Sequence, residues 1–283
     1  MERLKSLQEY RNLMEEVKSV CNSPFSNAFF WPADLERYIK NDRLYYEKNN
    51  AGVVYFSDEG SYYKLSLCVD KQKPFTIESR EKKLLVRSIY KEKSADWEMI
   101  EHTLEANGFY KAGSVLQVQA NVQELLGKNK KLEKYILIMN KKGFYCVTAD
   151  LEMLMETRKL IEKSITIKDY HIDYRTPEET TEDLSEGGCL CIVNEQGQVC
   201  AGCYTFVKNG IANGTAMVVE EKYKMNGFAP VLLYERCRRL SERGIKNLSG
   251  WILTDNDASL KYHKSMGYQF TGIYADEWIL NKK

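Results

Sequence analysis

The chain has almost no excess charge of either sign: 41 Lys and Arg stand against 40 Asp and Glu, a formal net charge of +1 over 283 residues. Such a surface has no bulk field to collect a polyanion, so no nucleic-acid partner is expected. Long apolar runs are missing too. None approaches the roughly 20 residues that cross a bilayer, and no membrane partner is expected. The opening MERLKSLQEYRNLMEEV is too charged for a secretory signal, which makes the expected compartment cytoplasmic. Nor do the eight cysteines form the close, even framework of a small secreted domain. What remains is ordinary globular material, 43% hydrophobic and 29% charged, long enough for one large domain or two of common size.

Four of the thiols, Cys189, Cys191, Cys200 and Cys203, lie on the strand-like runs CLCIV and VCAGCYTF, joined by the turn NEQGQ. Pairing across that hairpin would bring Cys189 towards Cys203, and four thiolates are in principle a zinc set. In a regular strand Cys189 and Cys191 share a face, whereas Cys200 and Cys203, three apart, do not. The thiols are therefore expected to be reduced, buried small apolar side chains, with no metal bound.

The segment VVEEKYKMNGFA, Val218 to Ala229, carries the most information. AMVV at its start reads as a buried strand, and APVLLYERCRRL restarts as a helix with Ala229, Leu232, Leu233, Cys237 and Leu240 on one face. Between them Lys224, Gly227 and Ala229 form Lys-x-x-Gly-x-Ala. Small residues there let the free N–H groups of the first helical turn approach a ligand, and the helix dipole favours an anion. A tight strand-to-helix turn without a ligand has the same local pattern. The helix is expected to stop near Gly244, with its arginines 236, 238, 239 and 243 forming a solvated face. A strand follows at Leu248 to Leu253, then Asn256, Ser259, His263, Gly267 and Tyr268 in the spacing Asn-x-x-Ser-x-x-x-His-x-x-x-Gly-Tyr. Asn256 suits a helix N-cap and Gly267 a helix stop.

These two segments together resemble the GCN5-related N-acetyltransferase (GNAT) family. Val219, Tyr223, Lys224, Gly227 and Ala229 occupy the family's pattern for the pyrophosphate of acetyl-CoA, with Lys224 in place of the usual Arg or Gln. Asn256, Ser259, Gly267 and Tyr268 match its second pattern, with His263 where many members carry a Tyr that protonates the departing thiolate. The resemblance runs from about Gly188 to the C terminus. It implies an α+β fold, a mixed, mostly antiparallel twisted sheet flanked by helices, and acetyl-CoA as co-substrate. It also implies cofactor contacts from Met217, Val218, Val219, Lys224, Met225, Asn226, Gly227, Phe228, Ala229, Asn256 and Ser259. Backbone groups of Met217 and Val219 would face the pantetheine arm. For chemistry it points to His263 as the acid and Glu220 as a base, with Glu221, or Asp276 and Glu277 in a turn between the last two strands, as other bases.

Ahead of the motifs, CLCIV, VCAGCYTF and IANGTAMVV read as a three-strand meander, with FYCVT as an earlier strand, ADLEMLMETRKLIEKSI as an amphipathic helix and TPEETTEDLSEGG as a loop or short helix. The first half offers helices at Glu2 to Val20, Ala33 to Lys40 and Ala95 to Ala106. It also offers strands in RLYYEK, GVVYFS, YYKLSLCV, LLVRSIY and NGFYKAGSVLQV. That order echoes the second half, but there is no Gly-x-Ala turn and no room for a long helix before LLVRSIY. The expected organisation is tandem: residues 1–126 a degenerate GNAT-like or other α+β domain, 127–141 a linker whose basic stretch GKNKKLEKY would look the same as a solvated helix, and 142–283 the catalytic domain.

The leading functional expectation is acetyl-CoA-dependent acetylation of a primary amine on a small molecule or peptide. Two other classes stay open: a tandem transferase using another donor such as aminoacyl-tRNA, and a non-catalytic acyl-CoA sensor. The acceptor's identity and homodimerisation also stay open.

Overall fold

The computed structural model describes every residue except 29, 31, 165–176 and 283, so the expected ends of two segments, Ile165 and Thr176, lie outside the described residues. The chain divides into two compact units, residues 1–114 with 273–283, and residues 115–272.

The first unit contains β1 (Glu2–Arg3), α1 (Leu7–Val20), β2 (Pro24–Ser26), α2 (Pro32–Lys40), β3 (Leu44–Asn49), β4 (Gly52–Asp58), β5 (Tyr62–Asp70), β6 (Lys83–Tyr90), α3 (Ala95–Ala106) and the start of β7 (Tyr110–Asn121). The first helix begins later than its periodicity suggests. Ser6 caps it by accepting from the Glu9 N–H, while Glu2 and Arg3 pair with Tyr46 and Tyr45 of β3. Strands β3, β4 and β5 are antiparallel; β5 and β6 are parallel over Tyr62–Leu65 and Lys83–Val86. β4 is apolar on both faces because both are covered. Val54 and Phe56 pack with Trp97, Ile100 and Leu104 of α3, and Val53 and Tyr55 with Leu13 and Val17 of α1. No helix fills the connection at 71–82. Instead Phe75 and Ile77 enter the core, and Asn107 pins them, donating to the Phe75 carbonyl at 3.0 Å and accepting from the Ile77 N–H at 2.7 Å.

The second unit continues with α4 (Val122–Asn129), α5 (Leu132–Lys141), β8 (Phe144–Thr148), α6 (Leu151–Ser164), α7 (Pro177–Ser185), β9 (Cys189–Asn194), β10 (Val199–Lys208), β11 (Ile211–Val219), α8 (Phe228–Glu242), β12 (Asn247–Leu253), α9 (Asp257–Met266) and the start of β13 (Gln269–Leu280), whose residues from 273 onward belong to the first unit. Strands β8 to β11 form an antiparallel meander, β12 runs parallel to β11, and residues 115–121 of β7 pair antiparallel with β12. Helix α6 lies on one face, where Leu154 meets Cys189 and Cys191; α8 lies on the other. Both units thus share one plan, an antiparallel meander followed by a parallel strand, a helix and a further strand.

The structure departs from several sequence expectations. Residues 127–141, read as linker or solvated helix, are largely helical: α5 and the end of α4 cover α8, with Met139 buried beside Val231 and Leu232 and the Tyr234 hydroxyl donating to Glu133 at 2.6 Å. The compact division falls within β7 and β13, because each of those strands joins its unit through long-range pairing that no local composition marks. Asp276 and Glu277 are not in a turn. They sit fully buried inside β13, opposite Ser88 and Arg87 of β6 in the first unit. Cys200 and Cys203 do share a face, since a register shift between Val199 and Ala201 makes Cys200 the extra residue of a bulge. Cys189 and Cys191 line the opposite core, and Cys189 faces Tyr204, not Cys203. All eight cysteines are free thiols, and among the described residues no three His, Cys, Asp or Glu side chains group in a way that could hold a metal ion.

Candidate functional site

Parallel pairing of β11 with β12 covers four residue pairs, Ile211 with Asn247 through Gly214 with Gly250, yet β11 runs on to Val219 and β12 to Leu253. Beyond the last pair the strands part. At the same place β11 carries a bulge: Gly214 faces Thr205 and Ala216 faces Tyr204 on β10, so Thr215 is the additional residue. A bulge bends its strand and frees backbone groups from the ladder. In the opening lies a cavity of about 580 Å³. Ala216 and Met217 form one wall and Trp251 to Leu253 the other; Asn256, Ser259 and His263 of α9 border it, Ile161 and Ser164 of α6 reach it, and Arg236 and Tyr268 also line it.

Helix α9 is built as its sequence suggests. The Asn256 side chain accepts from the Ser259 N–H at 3.0 Å, and Gly267, at φ +106°, ends the helix. His263, one turn beyond Ser259, brings Nδ1 to 2.8 Å from the Ser259 carbonyl oxygen and 3.3 Å from its hydroxyl. A carbonyl only accepts, so the neutral ring carries its proton on Nδ1 and leaves Nε2 as the acceptor. Burial holds this imidazole below the ordinary histidine pKa; the Ser259 carbonyl opposes the shift and the Arg236 charge adds to it. Tyr268 packs edge-on against the ring with centroids 4.8 Å apart, and burial pushes its phenol up to about 12.

The turn before α8 lies outside the cavity lining. Val218 and Val219 pair with Gly202 and Ala201, and the Glu220 N–H donates to the Cys200 carbonyl at 2.9 Å. The Glu220 carboxylate pairs with Lys222 at 3.2 Å and Lys224 pairs with Glu221, so neither Glu220 nor Glu221 lines the cavity. Met225 is fully exposed at φ +69°. Gly227, at φ +72°, is the N-cap of α8 and has no side-chain partner for the helix start. The first-turn N–H groups of Phe228 and Ala229 are consequently left for an outside acceptor, whereas Pro230 has none to offer. Sequence reasoning passed over Tyr135. Its hydroxyl donates to the Asn226 carbonyl at 2.6 Å, and a Cβ on Gly227 would stand 2.8 Å from its ring. Thus four expected site residues, Met217, Asn256, Ser259 and His263, border the cavity. Val218 to Ala229 form a separate glycine turn at the far end of β11.

Arg236 overturns another expectation. Arg238 and Arg243 do lie at the surface and pair with Glu235, Glu242 and Glu186, but Arg236 is 7% exposed. It stands four residues after Leu232 and four before Leu240, both buried, and this helical spacing was the available signal.

Residues 155–268 match the family model described as Acetyltransferase (GNAT) family. No curated protein gives a match to the chain. A GCN5-related N-acetyltransferase from Kribbella flavida has a similar structure, with a TM-score of 0.53 at 11% identity over 87% of this chain and 92% of that one. Another, from Sphaerobacter thermophilus, gives a TM-score of 0.52 at 10% identity over 81% and 77%. At these identities the likeness speaks for the fold, and it extends across both units. Residues 155–268, which lie within the second unit, thus match the GNAT acetyltransferase family model, and the two solved structures show the same fold.

Proposed function

We propose that the second unit transfers an acetyl group from acetyl-CoA directly to a primary amine on a small molecule or peptide. The observation that carries this reading is the parting of β11 and β12 beyond Gly214 and Gly250, which opens unpaired backbone beside a cavity on the strand that leads to the glycine turn of α8. An extended, amide-bearing arm suits the open strand edge, and a diphosphate suits the N–H groups of Phe228 and Ala229. In the transfer the thioester C–S bond breaks, an amide C–N bond forms, and the thiolate gains the proton that the amine loses.

An alkylammonium, with a pKa near ~10, must first shed one proton to water before it attacks, and the attached nitrogen sheds a second as the amide forms. His263 is the proposed carrier of the second. Its Nε2 takes that proton, directly or through water, and the resulting imidazolium returns it to the departing thiolate. Backbone N–H groups near the bulge at Thr215 are the proposed donors to the developing oxyanion. Glu220, held by Lys222 away from the cavity, has no part in this scheme. Eight free thiols suit work in the reducing cytoplasm.

The test is calorimetry of the full chain with coenzyme A and acetyl-CoA, followed by thiol release over a panel of amines. Binding with release supports the transferase. Binding without release for any amine makes the domain a sensor of acyl-CoA, and absence of binding removes the proposed donor.

A further inference from the structure

A guanidinium that cannot lose its charge is buried on α8 with no counter-ion among the described residues. Arg236 makes no ion pair with any described residue; its Nη2 donates to the Tyr268 hydroxyl at 2.9 Å, and its Nε has no acceptor. The neighbouring arginines differ. Arg238 and Arg243 have carboxylate partners, and Arg239 donates to Thr148. Burial of an unpaired charge is strongly unfavourable, and it is relieved when an anion arrives with good hydrogen-bond geometry. Arg236 and Tyr268 both line the cavity in the opening of the sheet.

The strand opposite is shaped around this side chain. Gly214, in the last register pair of β11 with β12, has an ordinary backbone angle, but a Cβ there would come within 2.9 Å of Arg236 Nη1. Because the Tyr268 oxygen accepts from Arg236, its own proton is free for a further acceptor. The guanidinium and the phenol together therefore offer charged and neutral donors from one side, a set that matches a carboxylate. Asp255 and Asp257 line the same cavity from exposed positions and make no ion pair with Arg236.

We infer that Arg236 and Tyr268 form a carboxylate-binding pair, and that one of the two reactants carries this carboxylate. The source is either the acyl group, as in a dicarboxylic monothioester, or an amine acceptor that is itself a carboxylic acid. Assignment to a reactant rests on the proposed acyl transfer; the pair itself does not.

Calorimetry on the full chain separates the sources. One arm compares succinyl-CoA with butyryl-CoA, of similar size and without the carboxylate, and includes coenzyme A. The other compares L-alanine, L-leucine and L-phenylalanine with ethylamine, isopentylamine and phenethylamine. In one arm the carboxylate-bearing member should bind about tenfold more tightly or better. Arg236→Gln should abolish that preference while leaving the affinity for coenzyme A unchanged. If Arg236→Gln does not fold, Gly214→Ala, which crowds the guanidinium, should weaken the same preference. Equal binding within every pair, or a preference that survives Arg236→Gln or Gly214→Ala, overturns the inference. Failure to bind coenzyme A alongside a clear preference for amino acids overturns only the donor reading.

Discussion

The Nδ1 of His263 lies 2.8 Å from the carbonyl oxygen of Ser259, one turn back on the same helix. This contact fixes the tautomer, and burial keeps the ring neutral below the ordinary value, with Arg236, Tyr262 and Tyr268 as its ionisable neighbours. As pH falls below the ordinary histidine value of about 6.5, the unfolded chain takes a proton before the native chain does. The contribution of His263 to stability is therefore full above that value and lost as pH falls through the lowered one. Thermal unfolding followed from pH 7.5 to 5 should show this loss, and His263→Phe should flatten it. In the proposed reaction the same variant should lower turnover more than it raises the KM for acetyl-CoA; unchanged turnover would take His263 out of the chemistry.

Gly227 is held by two demands at once. A residue with a Cβ costs roughly 1–2 kcal/mol at such a left-handed angle, and that Cβ would also strike the Tyr135 ring. Gly227→Ala should destabilise the protein and weaken coenzyme A binding, whereas Tyr135→Phe, which loses only the bond to the Asn226 carbonyl, should cost about 0.5–1.5 kcal/mol. Denaturant titration and calorimetry read the two effects separately. Equal effects of the two variants on binding would mean that the backbone angle is not what matters.

The docking of α6 rests on another close approach. A Cβ on Gly202 would stand 2.5 Å from Thr157 Oγ1 and 2.6 Å from its Cγ2. Gly202→Ala should cost about 1–3 kcal/mol by overpacking, and adding Thr157→Ala should recover part of it. A double-mutant cycle by urea unfolding measures the coupling. Additive losses would contradict the contact.

In the first unit, Asp276 is fully buried and meets the Lys111 ammonium at 2.8 Å, the Ser114 hydroxyl at 2.6 Å, the Tyr90 hydroxyl at 3.0 Å and Lys93 at 3.3 Å. Burial alone would raise its pKa, but these partners prevail and hold it below the usual carboxylate range. Its stabilisation is present above the ordinary aspartate pKa and lost as pH falls through the lowered one. Asp276→Asn should cost on the order of 3 kcal/mol at neutral pH, and progressively less as pH falls below the ordinary aspartate value. Urea unfolding at steps from pH 7 down to pH 2 follows the decline.

Local pattern carried much of this molecule. Helix α3 lies over the 95–106 stretch read from periodicity, the strands CLCIV, VCAGCYTF and IANGTAMVV appear in place, and Asn256 caps α9. Composition left residues 127–141 open between linker and solvated helix; Met139 and the Tyr234 to Glu133 bond place them against α8. Arg236 did mislead. Its type argued for solvent while its spacing argued for the core, and the spacing was right.

Element types and the two motifs were determined by the sequence alone, because backbone preference, capping and side-chain periodicity act over a few residues. Only the tertiary structure decided that β11 and β12 part after Gly214 and Gly250, that Tyr135 lies over Gly227, and that residues 273–283 complete the first unit. A strand's own side chains show which of its faces are buried. Its partner and register depend on edges supplied by distant parts of the chain, and those edges exist only once the rest has folded.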